Sequence, residues 1–281
     1  MGRGRGKLRI DFLVVRLTSK NPPTDEMMNG EEKEITEHRL ILEKAFVQGI
    51  DLYPPPDAWV PPNCKFEGTE LSTLDEFMLT LRTVDDALKP WMLQHKQDLI
   101  HIRDLQGSFT DHQWTGVYKQ AYENLLPGGW IEQIDASVGC YSDDSTLSPT
   151  SLLARSGPMY EEAAAKAGKG LDSVFKARAR IEAAGFVNIQ EKLYKVLLGD
   201  WAKNPMLKKA RRFCKVQLLS GLVGYSLYLL TKFGSPTPWS AEEVQVLLAK
   251  FRAEIEVKGV HAYYLKRRVW GQKPFDPKVK A

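Results

Sequence analysis

Two groups of polar residues in this 281-residue chain have the types and spacing of a nucleotide site. The first is a single acid, Asp51, inside the short apolar run 47–52. In doubly wound nucleotide folds, an acid at the carboxyl end of a strand accepts hydrogen bonds from both ribose hydroxyls. We therefore expect Asp51 to bind a ribose diol. The alternative is a solvated acid that caps a loop.

The second group is His101, Arg103 and Asp104, on or just past a predicted strand over residues 98–105. Ligands of doubly wound folds bind outside the carboxyl ends of such strands. The ordinary pKa of imidazole lies near neutrality, which suits His101 for taking a proton from a hydroxyl or an amine. The alternative for His101 is a core residue whose hydrogen bonds are satisfied inside the sheet.

The backbone part of such a nucleotide site is missing from its usual place. A glycine-rich turn normally precedes the ribose acid by about 20 residues. In this chain residues 20–30 take that place, and they contain one glycine, Gly30. The glycines among residues 2–6 precede the first predicted strand, over 7–17, whereas the motif requires them to follow it. The chain therefore has the ribose acid without the usual backbone cradle.

Composition is that of a soluble globular protein. The hydrophobic fraction is 43%, and the net charge of +4 from 39 basic and 35 acidic residues is too small to indicate a nucleic-acid partner. The apolar stretch 216–230 is interrupted by polar residues and too short to cross a bilayer, so we expect no membrane partner. The basic N-terminus is a poor signal peptide, because its apolar run contains charges.

Cysteine and histidine spacing predicts neither a disulfide framework nor a metal site. The three cysteines lie far apart and form no Cys-x-x-Cys pair, and three of the histidines are too dispersed to share a metal: Cys64, Cys140, Cys214, His38, His112 and His261. A sparse, odd cysteine count suits a reducing compartment. We expect an intracellular protein, cytoplasmic or nuclear.

The elements that must position these residues follow from periodicity. Strands are predicted over 7–17, 47–52, 64–67, 98–105, 130–134, 188–198 and 260–270, and helices over 31–46, 71–81, 113–125, 171–184, 205–231 and 239–256. A turn is predicted at 127–129. From 47 to 134 the order is typical of a parallel sheet with crossover helices. The last two helices lie between two late strands, and we expect them as an insertion over the carboxyl edge of the sheet.

Several segments together resemble one family. They are Gly-Ile-Asp-Leu at 49–52, Trp-Val-Pro-Pro-Asn-Cys-Lys-Phe at 59–66, Asp-Leu-Ile-His-Ile-Arg at 98–103, Leu-Pro-Gly-Gly-Trp-Ile-Glu at 126–132, Ala-Gly-Phe-Val at 184–187, Trp-Ser-Ala-Glu-Glu-Val at 239–244 and His-Ala-Tyr at 261–263. They are similar to the fungal LaeA-like S-adenosylmethionine-dependent methyltransferase family of class I, which is tied to secondary metabolism. The string at 59–66 is the most specific of them, whereas the Pro-Gly-Gly turn is shared by many methyltransferases.

The resemblance implies an α/β fold with a Rossmann-like class I methyltransferase sheet and a helical insertion near the C-terminus. It implies S-adenosylmethionine as cofactor, with Asp51, Asp85, Asp86 and Arg103 as cofactor-binding residues and His101 as the catalytic residue. Asp85 and Asp86 match a family position near the adenine ring, where an acid accepts the exocyclic amine. Their alternative is a surface acid at a helix N-terminus. The implied acceptor is a small molecule, such as a secondary metabolite, or a protein.

Residues 1–48 depart from the family, which opens its sheet with a strand ending Asp-x-Gly-x-Gly-x-Gly. We expect an atypical N-terminal segment over 1–48, replacing the glycine-rich first unit, and a methyltransferase-like domain over 49–281. Three interpretations remain open. The chain transfers methyl groups, or it is an inactive scaffold that acts as a binding or regulatory partner, or residues 1–48 are not the natural start.

Weaker site candidates come from the second half of the chain. Glu132 and Asp135 lie on or just past a predicted strand, at the same edge as His101. Tyr225, Tyr228 and Trp239 would suit the lining of an apolar acceptor pocket. The alternative for these aromatic residues is ordinary helix core.

Overall fold

The computed structural model describes residues 12–17, 45–49, 64–66, 87–91, 93, 95–199 and 201–275, with side chains described from residue 87 onward except at 217 and 220. Asp51, Asp85 and Asp86 lie outside the described residues, as do the predicted helix over 71–81 and most of the one over 31–46.

Seven strands and five helices make up the described part. The strands are β1 (Phe12–Leu17), β2 (Ala45–Gly49), β3 (Cys64–Phe66), β4 (Gln97–Arg103), β5 (Leu125–Tyr141), β6 (Val187–Leu197) and β7 (Tyr263–Gln272). The helices are α1 (Asp111–Asn124), α2 (Leu152–Lys166), α3 (Ser173–Ala183), α4 (Pro205–Phe233) and α5 (Ala241–Ile255).

All seven strands form one sheet in the order β3-β2-β1-β4-β5-β7-β6. The first five positions repeat the 3-2-1-4-5 order of doubly wound folds, so the predicted Rossmann-like α/β class is confirmed. The pairs β2–β3 and β4–β5 are parallel, as expected from the sequence. Strand β7 runs antiparallel between β5 and β6.

Strand β1 is reversed within this sheet. It is antiparallel to both neighbours, and Phe12 pairs with Ile102 while Leu13 pairs with Gly49. The carboxyl ends of β2, β3, β4 and β5 therefore meet at one edge, here called the carboxyl edge. The C-terminal end of β1, at Leu17, lies at the opposite edge.

Helix α1 shows how local sequence starts an element. The Thr110 hydroxyl accepts from the Gln113 amide at 3.2 Å, and the Gln113 side chain accepts from the Thr110 amide at 2.9 Å, which is a complete capping box. Four buried residues then follow at helical spacing: Trp114, Val117, Tyr118 and Ala121. This face packs on the sheet through Ile100, Ile102 and Ile131.

The described residues form two main cores. The sheet core lies between one face of the sheet and helices α1 and α3. The helical core is built from α2, α4 and α5, with Leu153, Leu222, Leu230, Val244 and Leu248 at its centre. Helix α4 follows the end of β6, and α5 precedes the start of β7, and both of those strand ends lie at the carboxyl edge. The helical pair is thus inserted at the carboxyl edge, as predicted.

Three sequence predictions differ from the structure. Residues 45 and 46 begin strand β2, whereas a helix was predicted through them. Residues 127–129 lie inside β5, whereas a turn was predicted there. The tight backbone was nevertheless foreseen, because Gly128 has φ +81° and a Cβ on Gly129 would lie 3.0 Å from the Asp98 carbonyl oxygen. Helix α2 was not predicted at all.

Helix α2 was missed because Gly157 and Pro158 interrupt its pattern. The structure explains the glycine, since a Cβ on Gly157 would lie 2.7 Å from the Gly139 Cα of β5. Among the described residues no single helix is long and apolar enough to span a membrane. The two halves of α4 have the length and apolar composition of a membrane span only when they are taken together, and a bend of 46° separates them.

Candidate functional site

The loop that leaves β4, residues 104–110 and here called the β4 loop, turns sharply at the carboxyl edge. Asp104 adopts a left-handed conformation with φ 51°, and its amide donates to the Ile134 carbonyl at 2.9 Å. A non-glycine residue in this region is uncommon, and such residues concentrate at ligand sites. The turn carries the following residues across β5 at Ile134 and Asp135.

Charged side chains surround Asp104. Its carboxylate has a side-chain exposure of 5% and lies 3.4 Å from Arg103 Nε and 3.5 Å from Lys266 Nζ. Burial lowers the pKa of Lys266, although the charge of Asp104 works in the opposite direction. The edge thus carries one carboxylate between two basic side chains. Lys266 on β7 is a functional candidate that sequence analysis missed. Its only signal in the sequence is its place at the start of the basic run 266–268 within a predicted strand.

A buried hydrogen-bond network centred on Asp135 of β5 holds the β4 loop in place. Asp135 Oδ1 accepts from the Leu105 amide at 3.1 Å, and its Oδ2 accepts from Gln133 Nε2 at 2.6 Å and Ser173 Oγ at 2.7 Å. Gln133 in turn accepts from the Tyr118 hydroxyl. Burial raises the pKa of Asp135 despite these hydrogen bonds. Since both carboxylate oxygens are occupied, the contacts of Asp135 are those of a residue that positions the β4 loop.

His101 lies on the sheet face, not at its edge. Its Nδ1 is 2.7 Å from Glu132 Oε1, and Arg268 Nε donates to Glu132 Oε2. Burial by itself raises the pKa of Glu132, but the hydrogen bond from His101 and the charges of His101 and Arg268 outweigh it and lower the pKa to about 2. These three side chains join β4, β5 and β7. The catalytic role of His101 stays a prediction, and its observed contacts are those of a buried ionic cluster.

Of the four predicted cofactor-binding residues, Arg103 is among the described residues. Arg103 lies at the carboxyl edge with a side-chain exposure of 38%, so part of its surface faces solvent there. Strand β2 ends at Gly49, two positions before Asp51 in the sequence. Asp51, Asp85 and Asp86 are outside the described residues, and their roles and that of Arg103 stay predictions. Within the described part of the chain, no three His, Cys, Asp or Glu side chains converge as a metal site.

A cavity of about 230 Å³ lies between the β4 loop, the end of α2 and the C-terminal third of α4. Tyr225 and Tyr228 line it, as the pocket interpretation of these aromatic residues expected. Trp239 instead packs against the helical core and donates its indole N–H to the Ser235 carbonyl at 3.1 Å. The aromatic set is therefore divided between pocket and core.

Curated relatives of this chain are fungal methyltransferases and regulators. Methyltransferase pytC of Aspergillus terreus is 31% identical over 229 residues, which are 82% of this chain and 64% of that protein. The secondary metabolism regulator LAE1 of Cochliobolus heterostrophus is 30% identical over 222 residues, 78% of this chain and 66% of that protein. The chain thus spans somewhat less than two thirds of the length of these relatives.

Family models and solved structures add little. No family model matches the chain. A phosphoethanolamine N-methyltransferase of Haemonchus contortus in complex with S-adenosylhomocysteine aligns over 68% of this chain and 36% of that one, with 14% identity and a TM-score of 0.35. The similarity to pytC and LAE1 extends over most of this chain, which is therefore similar to fungal methyltransferases and to a fungal regulator of secondary metabolism.

Proposed function

We propose that this protein transfers the methyl group of S-adenosylmethionine to an acceptor at the carboxyl edge of its sheet, in fungal secondary metabolism or its regulation. The observation that carries the proposal is the meeting of the carboxyl ends of β2, β3, β4 and β5 in the 3-2-1-4-5 strand order. Ligands of doubly wound sheets bind at that place. The names of the relatives, methyltransferases among them, support the same reaction.

Arg103, the one predicted cofactor-binding residue among the described residues, supports this proposal. Arg103 presents a partly exposed guanidinium, which suits a charge-assisted hydrogen bond to the carboxylate of the amino-acid part. From the sequence we assign Asp51 to the ribose hydroxyls, and Asp85 and Asp86 to the adenine amine. When bound, the cofactor supplies an electrophilic methyl group, which passes to an acceptor lone pair while the electron pair of the broken carbon–sulfur bond stays on sulfur.

The proton of a hydroxyl or amine acceptor requires a base of this chain. His101 is the sequence-based candidate, and its Nδ1 is occupied by the bond to Glu132 on the neighbouring strand β5. Lys266 lies beside Asp104 at the edge, and its lowered pKa brings it closer to the neutral form that accepts a proton. Lys266→Met is therefore expected to lower kcat more than His101→Gln does.

The first experiment is titration of the whole chain with S-adenosylhomocysteine in a calorimeter. We expect micromolar affinity, at least tenfold weaker in Asp51→Ala and Arg103→Ala. Arg178→Ala removes an exposed arginine of α3 that pairs with Glu191, and it serves as the matched control. Absence of any binding to the intact chain contradicts the proposal.

Labelled S-adenosylmethionine, incubated separately with a fungal metabolite extract and a fungal protein extract, distinguishes a small-molecule acceptor from a protein acceptor.

A second function is favoured by the reversal of β1. In doubly wound folds the glycine-rich loop follows β1 at the carboxyl edge, but here Leu17 ends β1 at the opposite edge. The loss of several backbone hydrogen bonds removes a few kcal/mol, which turns micromolar binding into millimolar binding. The chain would then be a methyltransferase-like scaffold acting as a binding or regulatory partner, and micromolar binding in the titration rules this out.

The location we propose is the cytoplasm, with the nucleus as the alternative for a regulatory partner. Neither a membrane nor a nucleic acid is proposed as a partner. A fluorescent fusion of the whole chain, imaged in fungal cells, distinguishes the two compartments.

A further inference from the structure

One buried carboxylate at the carboxyl edge contacts basic side chains from two strands. Asp104 Oδ2 lies 3.4 Å from Arg103 Nε, and Asp104 Oδ1 lies 3.5 Å from Lys266 Nζ. Arg103 ends β4 and Lys266 lies on β7, and β5 separates these two strands in the sheet. Asp104 therefore connects side chains across β5, and each of its two oxygens has a different partner.

The backbone conformation of Asp104 does not by itself require an acid. Its φ of 51° is uncommon for a residue with a side chain, although Asp and Asn adopt it more readily than most. Glycine takes the same conformation at no steric cost. The carboxylate has a side-chain exposure of only 5%, and burying a charge is costly unless it is paired. The acid at this position is therefore explained by its side-chain contacts.

The contact of Asp104 with Arg103 leaves most of the guanidinium outside the hydrogen bond. Nε donates to Asp104 Oδ2, whereas the guanidinium carries four more N–H donors on its two Nη atoms. Arg103 has a side-chain exposure of 38%, against 17% for Lys266. Arg103 is thus the more accessible of the two bases that Asp104 holds, and its Nη donors suit a second carboxylate.

The reversal of β1 makes such a side chain necessary at this edge. In doubly wound folds a glycine-rich loop after β1 brings backbone amides to the ligand at the carboxyl edge. Here Leu17 ends β1 at the opposite edge, so the strand end that normally carries these amides is not at the carboxyl edge. A ligand carboxylate at the carboxyl edge then depends on side-chain donors.

We infer that Asp104 is a positioning residue, which orients the Arg103 guanidinium toward the carboxylate in the amino-acid part of S-adenosylmethionine. Arg103 then does with side-chain donors what the glycine-rich loop does with backbone amides in other doubly wound folds. This role rests on the proposed function and adds selectivity to it, because a nucleoside without the amino-acid part gains nothing from Arg103 or Asp104.

The test compares S-adenosylhomocysteine with 5′-methylthioadenosine, which has the same thioether nucleoside but a methyl group in place of the amino-acid part. Binding of each to the whole chain is measured by calorimetry. We expect Asp104→Asn to weaken S-adenosylhomocysteine about five- to tenfold and to leave 5′-methylthioadenosine within twofold. Glu191→Gln is the matched control and should change neither affinity. Glu191 also contacts two bases, Arg178 and Arg267, but lies on the outer strand β6.

A double-mutant cycle shows whether Asp104 acts through Arg103. If it does, the double variant Arg103→Ala/Asp104→Asn binds S-adenosylhomocysteine within twofold of Arg103→Ala alone. Asp104→Gly is a second variant, because glycine keeps the turn at φ 51° without the carboxylate, and it should match Asp104→Asn. Equal weakening of both nucleosides by both Asp104 variants means that Asp104 only supports the fold, and it overturns the inference. An additive loss in the double variant overturns it as well.

Failure of this role is distinguishable from failure of the proposed function. If S-adenosylhomocysteine does not bind the intact chain, the proposed function fails, and the role of Asp104 fails with it. If S-adenosylhomocysteine binds, but Asp104→Asn leaves its affinity within twofold of the wild type, the proposed function stands and the role assigned to Asp104 is wrong.

Discussion

The ionic cluster of His101, Glu132 and Arg268 yields the sharpest prediction on stability. Glu132→Gln keeps the side-chain shape but removes the charge that both neighbours bond to. The exposed fractions of the three side chains are 6%, 9% and 23%, so water replaces little of what is lost. Breaking a buried ion pair from one side typically costs 3–5 kcal/mol, and we expect about 3 kcal/mol because Arg268 keeps some solvent contact.

The assay is thermal unfolding followed by tryptophan fluorescence. For a chain of this size, 1 kcal/mol corresponds to a shift in Tm of about 2–4 °C, so Glu132→Gln should lower Tm by roughly 6–12 °C. Glu191→Gln is the matched control. Glu191 pairs at 2.7 Å with Arg267, the residue before Arg268, but has a side-chain exposure of 35%. Exposed pairs contribute about 1 kcal/mol or less. Equal shifts in Tm for the two variants would refute the claim that the buried cluster stabilises the sheet.

The pH dependence of this difference has a definite sign. His101 and Arg268, working against burial, lower the pKa of Glu132 from 4.5 in the unfolded chain to about 2 in the fold. The carboxylate therefore stabilises the fold fully above pH 4.5, and this contribution is lost as the pH falls toward 2. The gap in Tm between the wild type and Glu132→Gln should be constant from about pH 6 to 7 and shrink below 4.5. A gap that grows on acidification contradicts the assignment.

Three further predictions concern positions with defined local roles. Gly107→Ala should lower stability by about 1–2 kcal/mol in thermal unfolding, because of its positive φ and the closeness of Leu171. Ser240→Ala removes the capping box of α5 and should lower stability by about 1 kcal/mol in thermal unfolding. Glu254→Ala frees two backbone amides at the start of α2, each 2.9 Å from its carboxylate, and should cost about 2 kcal/mol and speed hydrogen exchange in that helix.

Much of the fold follows from local pattern, but strand direction does not. The alternation that predicts β4, β6 and β7 is read equally well from either end of a strand. The same is true of β1, which was predicted as a strand over 7–17 and was found at Phe12–Leu17. Its reversal depends on pairing with Ile102 and Gly49, which are distant in sequence. Sequence periodicity alone therefore predicted the strand and could not predict its direction.

The candidate site was predictable where it depends on strand ends and not where it depends on cross-strand contacts. His101 and Arg103 were identified because they lie on a predicted strand near its carboxyl end. The bond of His101 to Glu132, and the approach of Lys266 to Asp104, join residues 31 and 162 positions apart, and no spacing rule connects them. Their partners became visible only once the register of β4, β5 and β7 was known.

The β4 loop connects the two cores, and different residues of the loop face each core. Leu105 packs against the sheet core, and its amide is held by Asp135, while the next residue, Gln106, lines the cavity of the helical core. Substitutions on the cavity faces of α2 and α4, such as at Ala164, change the shape of the cavity but none of the hydrogen bonds to Asp135. The cavity can therefore change shape by substitution while the hydrogen bonds that hold the β4 loop at the carboxyl edge stay in place.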